Sequence, residues 1–199
     1  MDKKLFIITN RKLIKKGDLV TVVKKAVKGG ADAIILREKD LNKQQLTSLA
    51  KRLMEVTAGK VPLIINSNLE VAKGVKADGI HFTYDSFIKF TEEYDGLMGV
   101  SIHSLEEAET VTEKGADYIL AGNIFETTCK PGLPGKGIDF LERISKKTSV
   151  PIIAIGGINA DNINEVIRAG AAGAAVMSSV MEAEDVEKLV SIYKNNMKI

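Results

Sequence analysis

The sequence contains very little cysteine, which argues against a fold held together by disulfides. Only one of its 199 residues is a cysteine, Cys129, so no disulfide can form within the chain. A single thiol is typical of proteins in a reducing compartment, and we therefore expect a cytoplasmic protein. A chain of this size can bury most of the surface that it exposes when unfolded, so it needs no covalent crosslinks.

The chain also lacks a strong net charge and any long apolar run. Its 28 lysines and arginines nearly balance 26 aspartates and glutamates, and it has neither a basic stripe nor an aromatic platform for nucleic acid. No apolar run approaches the roughly 18–20 residues of a membrane helix, and the one near the N-terminus is too short for a signal peptide. We therefore expect neither nucleic acid nor a membrane as a partner.

Short apolar runs instead alternate with longer segments of helical periodicity. Runs that are apolar on both faces suit parallel strands buried by helices. The predicted strands span residues 5–9, 33–37, 62–66, 79–82, 98–102, 118–122, 151–156 and 173–177. The predicted helices span residues 18–29, 42–57, 68–75, 86–93, 104–114, 138–147, 160–169 and 184–197.

Eight successive βα units predict a single (β/α)8 TIM-barrel domain over residues 1–199. Three similar phrases, KGGADAIIL, EKGADYILAG and RAGAAGAAVM, repeat one helix-to-strand connection. Ser104 followed by Glu107 has the pattern of a helix capping box. The alternative is an open doubly wound sheet, but the first turn lacks the G-x-G-x-x-G fingerprint of dinucleotide-binding sheets.

In such a barrel the functional residues follow the carboxyl ends of the strands. Gly156 and Gly157 follow the seventh strand, and Ser178 and Ser179 follow the eighth. Glycines and small hydroxyl residues expose backbone N–H groups, which favours a phosphate site at this position. The alternative is a tight turn that needs glycine only for its backbone conformation.

Two cations, Arg37 and Lys39, follow the second strand. They suit a second anion, or the anionic part of one substrate. The alternative is a solvated charged turn, which the neighbouring Asp40 favours.

Candidates for proton transfer are few. His103 follows the fifth strand and is the better acid–base candidate, because the ordinary pKa of histidine lies near neutrality. His81 falls within a strand and is expected to be packed or hydrogen-bonded there. Cys129 is a poor nucleophile candidate because no histidine is close to it in sequence.

Oxygen ligands for a metal are also few. Asn66 and Ser67 follow the third strand, and Asp85 follows the fourth. A Mg²⁺ site needs carboxylates that converge from separate strand ends. The sequence offers few of them, so a Mg²⁺ site is possible but poorly supported.

These residues resemble the thiamine phosphate synthase/TenI superfamily. The resemblance covers about Lys4 to Val180 and rests on the phrases ILREKD, IINSN, GIHF, GVSIHSLEEAETVTEKGADYILAGNIFET, VPIIAIGGIN and GAAGAAVMSSV, in that order. It implies a barrel enzyme of thiamine biosynthesis that binds a small phosphorylated thiazole. Barrels of this kind often pair, so a homodimer is also expected.

The superfamily has two branches, and the resemblance to the synthase branch is incomplete. A synthase joins a pyrimidine diphosphate to thiazole phosphate and uses Mg²⁺ held by two aspartates. The corresponding positions here hold Ser67 and Ser86, with Asp85 one residue early. Under a synthase function Asp85 would be the metal ligand; otherwise the resemblance implies no cofactor.

The loop FETTCKPGLPGKG is similar to that of TenI, a metal-free thiazole tautomerase. TenI has its catalytic histidine at the end of strand six, where this chain has Asn123, and asparagine cannot carry a proton at neutral pH. The resemblance implies that Asn123 and His103 form the catalytic centre. It implies ligand contacts from Arg37, Lys39, Asn66, Ser101, Thr128, Lys130, Gly156, Gly157, Ser178 and Ser179.

Three functions follow from the resemblance. The leading expectation is a TenI-like protein that binds thiazole phosphate or its carboxylate and is a weak tautomerase. The first alternative is thiamine phosphate synthase, and the second is a ligand-binding or regulatory protein without catalytic activity.

Overall fold

The computed structural model describes residues 2–127, 129 and 132–198, and its eight parallel strands close into a barrel in chain order. This confirms the predicted (β/α)8 barrel. The strands are β1 Lys4–Ile8, β2 Ala33–Leu36, β3 Leu63–Asn66, β4 Gly79–Thr83, β5 Leu97–Ile102, β6 Tyr118–Gly122, β7 Ile152–Ile155 and β8 Gly173–Val176.

Helices connect the strands and surround the barrel. They are α1 Leu19–Lys28, α2 Lys43–Thr57, α3 Leu69–Val75, α4 Tyr84–Lys89, α5 Leu105–Glu113, α6 Gly137–Ser145, α7 Ile163–Arg168, α8 Ser178–Met181 and α9 Val186–Asn196, with a 3₁₀ turn at Arg11–Leu13. None of the helices in the described residues is both long and apolar enough to cross a bilayer.

Side chains alternate along each strand between two apolar clusters. On β1, Phe6 and Ile8 belong to the cluster inside the barrel, while Leu5 and Ile7 belong to the larger cluster that the helices cover. Because both faces of each strand are buried, the strands have continuous apolar runs rather than an apolar–polar alternation.

The predicted elements differ from the observed ones mainly at their ends. The α4 helix begins at Tyr84, because the Thr83 side chain accepts a hydrogen bond from the N–H of Ser86 and caps it. The α8 helix is absent from the predicted helices, since its four residues are too few to show a helical period.

The predicted cap of α5 is present in altered form. The Ser104 hydroxyl accepts a hydrogen bond of 3.0 Å from the N–H of Glu107. The Glu107 carboxylate, however, accepts from the N–H of His103 rather than from that of Ser104. This second contact fixes the backbone of His103 at the carboxyl end of β5.

Candidate active site

A cavity of about 690 Å³ opens at the carboxyl ends of the strands, between the barrel and the loops above it. The predicted site residues that line it are Arg37, Lys39, Asn66, Ser101, His103, Asn123, Gly156, Gly157, Ser178 and Ser179. Asp85 does not line the cavity, and Thr128 and Lys130 lie outside the described residues. The fold thus brings the predicted residues together, while their individual roles remain predictions.

The turn after β7 packs directly on the end of β6. Gly156 has a φ of +101° and Gly157 a φ of +65°, both in the region that favours glycine. A Cβ atom at residue 156 would lie 2.6 Å from the Cα of Asn123, and one at residue 157 would lie 2.7 Å from the Cβ of Phe125. The turn therefore needs glycine for its own geometry, and the same absence of side chains opens its backbone to the cavity.

The two serines after β8 stand at the start of α8, and the last helix supports one of them. The hydroxyl of Tyr193, in α9, donates a hydrogen bond of 2.9 Å to the hydroxyl oxygen of Ser179. Tyr193 is buried, and burial raises the pKa of its hydroxyl, which therefore stays protonated. Ser179 thus accepts from Tyr193 and keeps its own proton free to donate to a ligand.

Arg37 and Lys39 line the cavity, whereas Glu38 between them is buried away from it. The Glu38 carboxylate accepts hydrogen bonds from the Thr9 hydroxyl at 2.8 Å, the Arg11 N–H at 3.0 Å and the Arg11 guanidinium at 2.9 Å. The Thr9 hydroxyl oxygen in turn accepts from the Arg37 N–H at 3.0 Å. These contacts hold the end of β2 so that its two cations border the cavity.

Asp40, the neighbour that favoured a solvated charged turn, pairs with residues of the turn after β1 rather than with Lys39. Its carboxylate accepts two hydrogen bonds from the guanidinium of Arg11, at 2.7 and 2.8 Å, and lies 3.1 Å from the Lys12 ammonium. The Arg11 guanidinium holds the pKa of Asp40 well below its usual range. Within the described residues neither Arg37 nor Lys39 has an ion-pair partner, so both are available to a ligand anion.

His103 is held by the backbone of the neighbouring strand. Its Nδ1 lies 2.8 Å from the carbonyl oxygen of Gly122, at the end of β6. A carbonyl oxygen can only accept, so Nδ1 carries the proton and Nε2 is left as the basic nitrogen. The imidazole lines the cavity and is exposed to solvent.

Asn123 is buried and holds the loop that follows β6. Its side-chain amide donates to the carbonyl oxygens of Phe125 and Leu133, at 3.3 and 3.4 Å. The main-chain carbonyl oxygen of Asn123 accepts from the N–H of Lys136 at 2.9 Å, and this bond closes the base of the loop. Asn123 therefore orients the loop over the cavity, a role that needs no proton transfer.

His81 is buried in the barrel, as expected, and also reaches the cavity. Its Nδ1 lies 3.0 Å from the Tyr118 hydroxyl, and its Nε2 lies 2.8 Å from the Ser101 hydroxyl. Burial lowers the pKa of His81 to about 3, so the ring is neutral at physiological pH.

The described residues do not fit a Mg²⁺ site. They contain no cluster of three His, Cys, Asp or Glu side chains that could hold a metal. Glu182 is the only carboxylate among the described lining residues, and Asp85 is exposed on α4 outside the cavity. The amide of Asn66 donates to the Ser67 hydroxyl at 3.0 Å, and these two neutral groups add no carboxylate to the cavity.

Sequence reasoning missed several residues of the cavity, which are Asn10, Thr83, Thr127 and Glu182, and it considered Cys129, which also lines the cavity, only as a poor nucleophile. Asn10 lies just beyond β1, and the rule that active sites follow barrel strands would have identified it. Glu182 could not be found in this way, because it comes one turn after Ser178 through the unpredicted helix α8.

The family model and the similar proteins that match this chain agree on one family. Residues 5–180 match the family described as thiamine monophosphate synthase. A thiamine-phosphate synthase of Clostridium acetobutylicum is 35% identical over 192 residues, covering 94% of this chain and 91% of that protein. A thiamine-phosphate synthase of Chloroflexus aurantiacus is 41% identical over 192 residues, covering 94% of this chain and 88% of that protein.

Solved structures agree with these relatives. The thiamine phosphate pyrophosphorylase of Pyrococcus furiosus superposes with a TM-score of 0.87 at 33% identity, covering 99% of this chain and 96% of that one. A 3-hexulose-6-phosphate synthase, at 16% identity and a TM-score of 0.73, shares the fold alone. The family match and the identities show that the chain belongs to the thiamine phosphate synthase/TenI superfamily, and they support the prediction that it is an enzyme.

Proposed function

We propose that this chain is an enzyme of thiamine biosynthesis that binds a phosphorylated thiazole at the carboxyl end of its barrel. The observation that supports this most directly is the presence of two anion-binding groups in one cavity. Gly156, Gly157, Ser178 and Ser179 follow β7 and β8, while Arg37 and Lys39 follow β2. Because β1 separates β8 from β2 in the barrel, the two groups suit two anionic parts of bound substrate.

Among specific reactions, the comparisons favour thiamine phosphate synthesis over the tautomerase function expected from the loop after β6. The relatives named thiamine-phosphate synthase are 35% and 41% identical over nearly the whole chain. In this reaction the bond between a pyrimidine and its diphosphate breaks, and the pyrimidine joins thiazole phosphate. The glycines and serines would hold the thiazole phosphate, and Arg37 and Lys39 would hold the diphosphate.

The described residues lack a set of carboxylates that could hold Mg²⁺, so other positive charges must neutralise the diphosphate in that reaction. Mg²⁺ bound to carboxylates would ordinarily neutralise the departing diphosphate. Here the two cations Arg37 and Lys39 border the cavity without ion-pair partners among the described residues. In this proposal they provide the protein's share of that neutralisation.

A second candidate is tautomerisation of thiazole carboxylate phosphate, and the placement of His103 favours it. Because His103 Nδ1 donates to the Gly122 carbonyl oxygen, Nε2 is left as the basic nitrogen. Both His103 and Asn123, which follows β6, line the cavity. Nε2 can take a proton from the substrate, and the resulting imidazolium can return it at another atom. This reaction needs a residue that transfers a proton and a site that binds the substrate's anionic groups, and it needs no metal.

One experiment separates the two reactions. The purified chain is incubated with thiazole phosphate and pyrimidine diphosphate, with Mg²⁺ or with EDTA, and separately with the non-aromatic thiazole carboxylate phosphate. Chromatography then follows both products. Coupling above the background rate supports the synthase, and conversion of the carboxylate supports the tautomerase.

Variants connect the result to the site. We expect Arg37→Gln to impair coupling strongly, whereas Arg52→Gln should not, because Arg52 lies on α2 and pairs with Asp18 away from the cavity. Saturable thiazole phosphate binding without either product would instead support a ligand-binding protein. Absence of binding would contradict the proposal.

The single domain over residues 1–199 and the homodimer remain predictions. Light scattering during size-exclusion chromatography would measure the mass of the assembly and test the second of them.

A further inference from the structure

A row of three hydrogen-bonded side chains runs from inside the barrel to the cavity. Tyr118 on β6 contacts His81 on β4, and His81 contacts Ser101 on β5, with distances of 3.0 and 2.8 Å. Tyr118 is 4% exposed and His81 is 3% exposed, while Ser101 borders the cavity. A Cβ at Gly99 would overlap the Tyr118 ring, so this glycine of β5 makes room for the row.

The direction of the first hydrogen bond follows from the surroundings of Tyr118. Burial raises the pKa of its hydroxyl far above the ordinary value, so the hydroxyl keeps its proton. Within the part of the chain that the structure describes, His81 Nδ1 is the one acceptor in reach of that proton. A buried donor without a partner loses its hydration and gains nothing in return, so Tyr118 donates to Nδ1.

The second hydrogen bond then has a fixed direction as well. His81 is neutral and has a single ring proton, and its Nδ1 accepts from Tyr118. The proton is therefore on Nε2, which donates to the hydroxyl oxygen of Ser101. Ser101 accepts from the protein and has no other partner among the described residues, so its own O–H can donate to a ligand.

We infer that Tyr118 and His81 are positioning residues that fix the Ser101 hydroxyl as a hydrogen-bond donor toward the cavity. The ligand chemistry selected at this point is a hydrogen-bond acceptor, either an anionic oxygen or an unprotonated ring nitrogen. A ligand group that offers only N–H donors would leave the Ser101 proton without an acceptor. The inference rests on the proposed function solely for the choice of thiazole phosphate as the ligand in the test below.

The inference also implies that the two histidines hold opposite tautomers. His103 has its proton on Nδ1, because Nδ1 contacts a carbonyl oxygen. His81 has its proton on Nε2. With both rings neutral, the cavity therefore presents a donor at Ser101 and an acceptor at His103 Nε2.

The first test needs no ligand and measures the tautomers directly. The chain contains only two histidines, so ¹⁵N-labelled histidine gives two sets of ring signals in correlation NMR at neutral pH. A His103→Gln variant removes one set and assigns both. We expect the remaining set to show a protonated Nε2 and a bare Nδ1. A proton on Nδ1 of His81, or on both of its nitrogens, would overturn the inference.

The second test measures thiazole phosphate affinity by calorimetry. Tyr118→Phe removes the donor to Nδ1, so we expect a mixture of His81 tautomers and roughly threefold to tenfold weaker binding. Ser101→Ala should weaken binding while leaving the His81 tautomer in place, since Tyr118 still sets it. The control is Tyr94→Phe, which removes a hydroxyl that donates to the Ala77 carbonyl away from the cavity.

Equal affinity of Ser101→Ala and wild type would overturn the ligand part of the inference. An unchanged His81 tautomer in Tyr118→Phe would overturn the role of Tyr118. If the wild type itself does not bind thiazole phosphate, the proposed function fails, whereas the tautomer measurement still decides whether Ser101 is held as a donor.

Discussion

The Tyr193 hydroxyl, on the last helix, donates a hydrogen bond of 2.9 Å to the Ser179 hydroxyl beside the cavity. The two residues are fourteen positions apart, and the packing of α9 against α8 brings them together. The last helix thereby helps to set the orientation of a serine in the proposed phosphate site.

This contact predicts that Tyr193→Phe weakens thiazole phosphate binding several-fold, because Ser179 loses the donor that directs its proton toward the ligand. We expect an accompanying loss of about 0.5–1.5 kcal/mol in the free energy of unfolding. Calorimetry and urea unfolding measure the two effects. Tyr94→Phe should cost similar stability and leave affinity unchanged; equal affinity losses in both variants would argue against a specific effect at Ser179.

Glu38→Gln should destabilise the protein by about 1–3 kcal/mol, because a buried carboxylate that accepts from Thr9 and Arg11 is replaced by a neutral amide. It should also raise the KM for substrate, since the end of β2 positions Arg37 and Lys39. Urea unfolding and steady-state kinetics provide the readouts. Asp40→Asn is the control, and its exposed ion pairs should contribute far less to stability.

Gly156→Ala should be more destabilising than Gly17→Ala, although both positions have a positive φ. At Gly17 an added Cβ meets no atom within 4 Å, so only the backbone cost of about 1–2 kcal/mol applies. At Gly156 the Cβ would also collide with Asn123. Thermal unfolding compares the two, and similar melting temperatures would show that the turn after β7 moves freely away from β6.

Asn123→His should raise the rate of tautomerisation, because it restores a proton carrier at the end of β6. The substitution removes two amide contacts of 3.3 and 3.4 Å, but the main-chain bond from the Lys136 N–H to the carbonyl oxygen of residue 123 stays and keeps the base of the loop closed. The assay follows thiazole carboxylate phosphate by chromatography. No gain in rate, with the variant folded, would contradict the view that Asn123 limits this reaction.

His103→Gln should abolish any tautomerisation that the wild type shows, since glutamine has no basic nitrogen to take the proton. Coupling of the two phosphorylated substrates should continue at a comparable rate, because that reaction does not use Nε2 in our proposal. Parallel loss of both activities with retained folding would indicate that His103 serves substrate binding instead.

Much of the candidate site followed from the sequence because a parallel barrel places every strand end on one face. Once the strands were located, Arg37, Asn66, Ser101 and Gly156 could be assigned to a common face without knowing any distance. The same rule identified His103. Asn10 was missed only because the first strand end was left out.

Other features depended on contacts between distant segments. The sequence left open whether Arg37 and Lys39 belong to a ligand site or to a solvated charged turn with Asp40. The structure shows that Asp40 binds Arg11 and Lys12 from the turn after β1. The sequence predicted His81 as a packed histidine, but its neighbours Tyr118 and Ser101 lie on two other strands. Side-chain pairing of this kind depends on strand register and rotamers, which have no local signal.

The sequence by itself determined the barrel, the order of its units and the face on which chemistry occurs, because apolar periodicity and turn residues act locally. It also determined the family resemblance and the lack of two aspartates expected of a synthase. Only the tertiary structure decided which cations lack an ion-pair partner among the described residues and which groups face the ring nitrogens of each histidine. Those properties follow from burial and from hydrogen-bond partners that the closure of the barrel brings together.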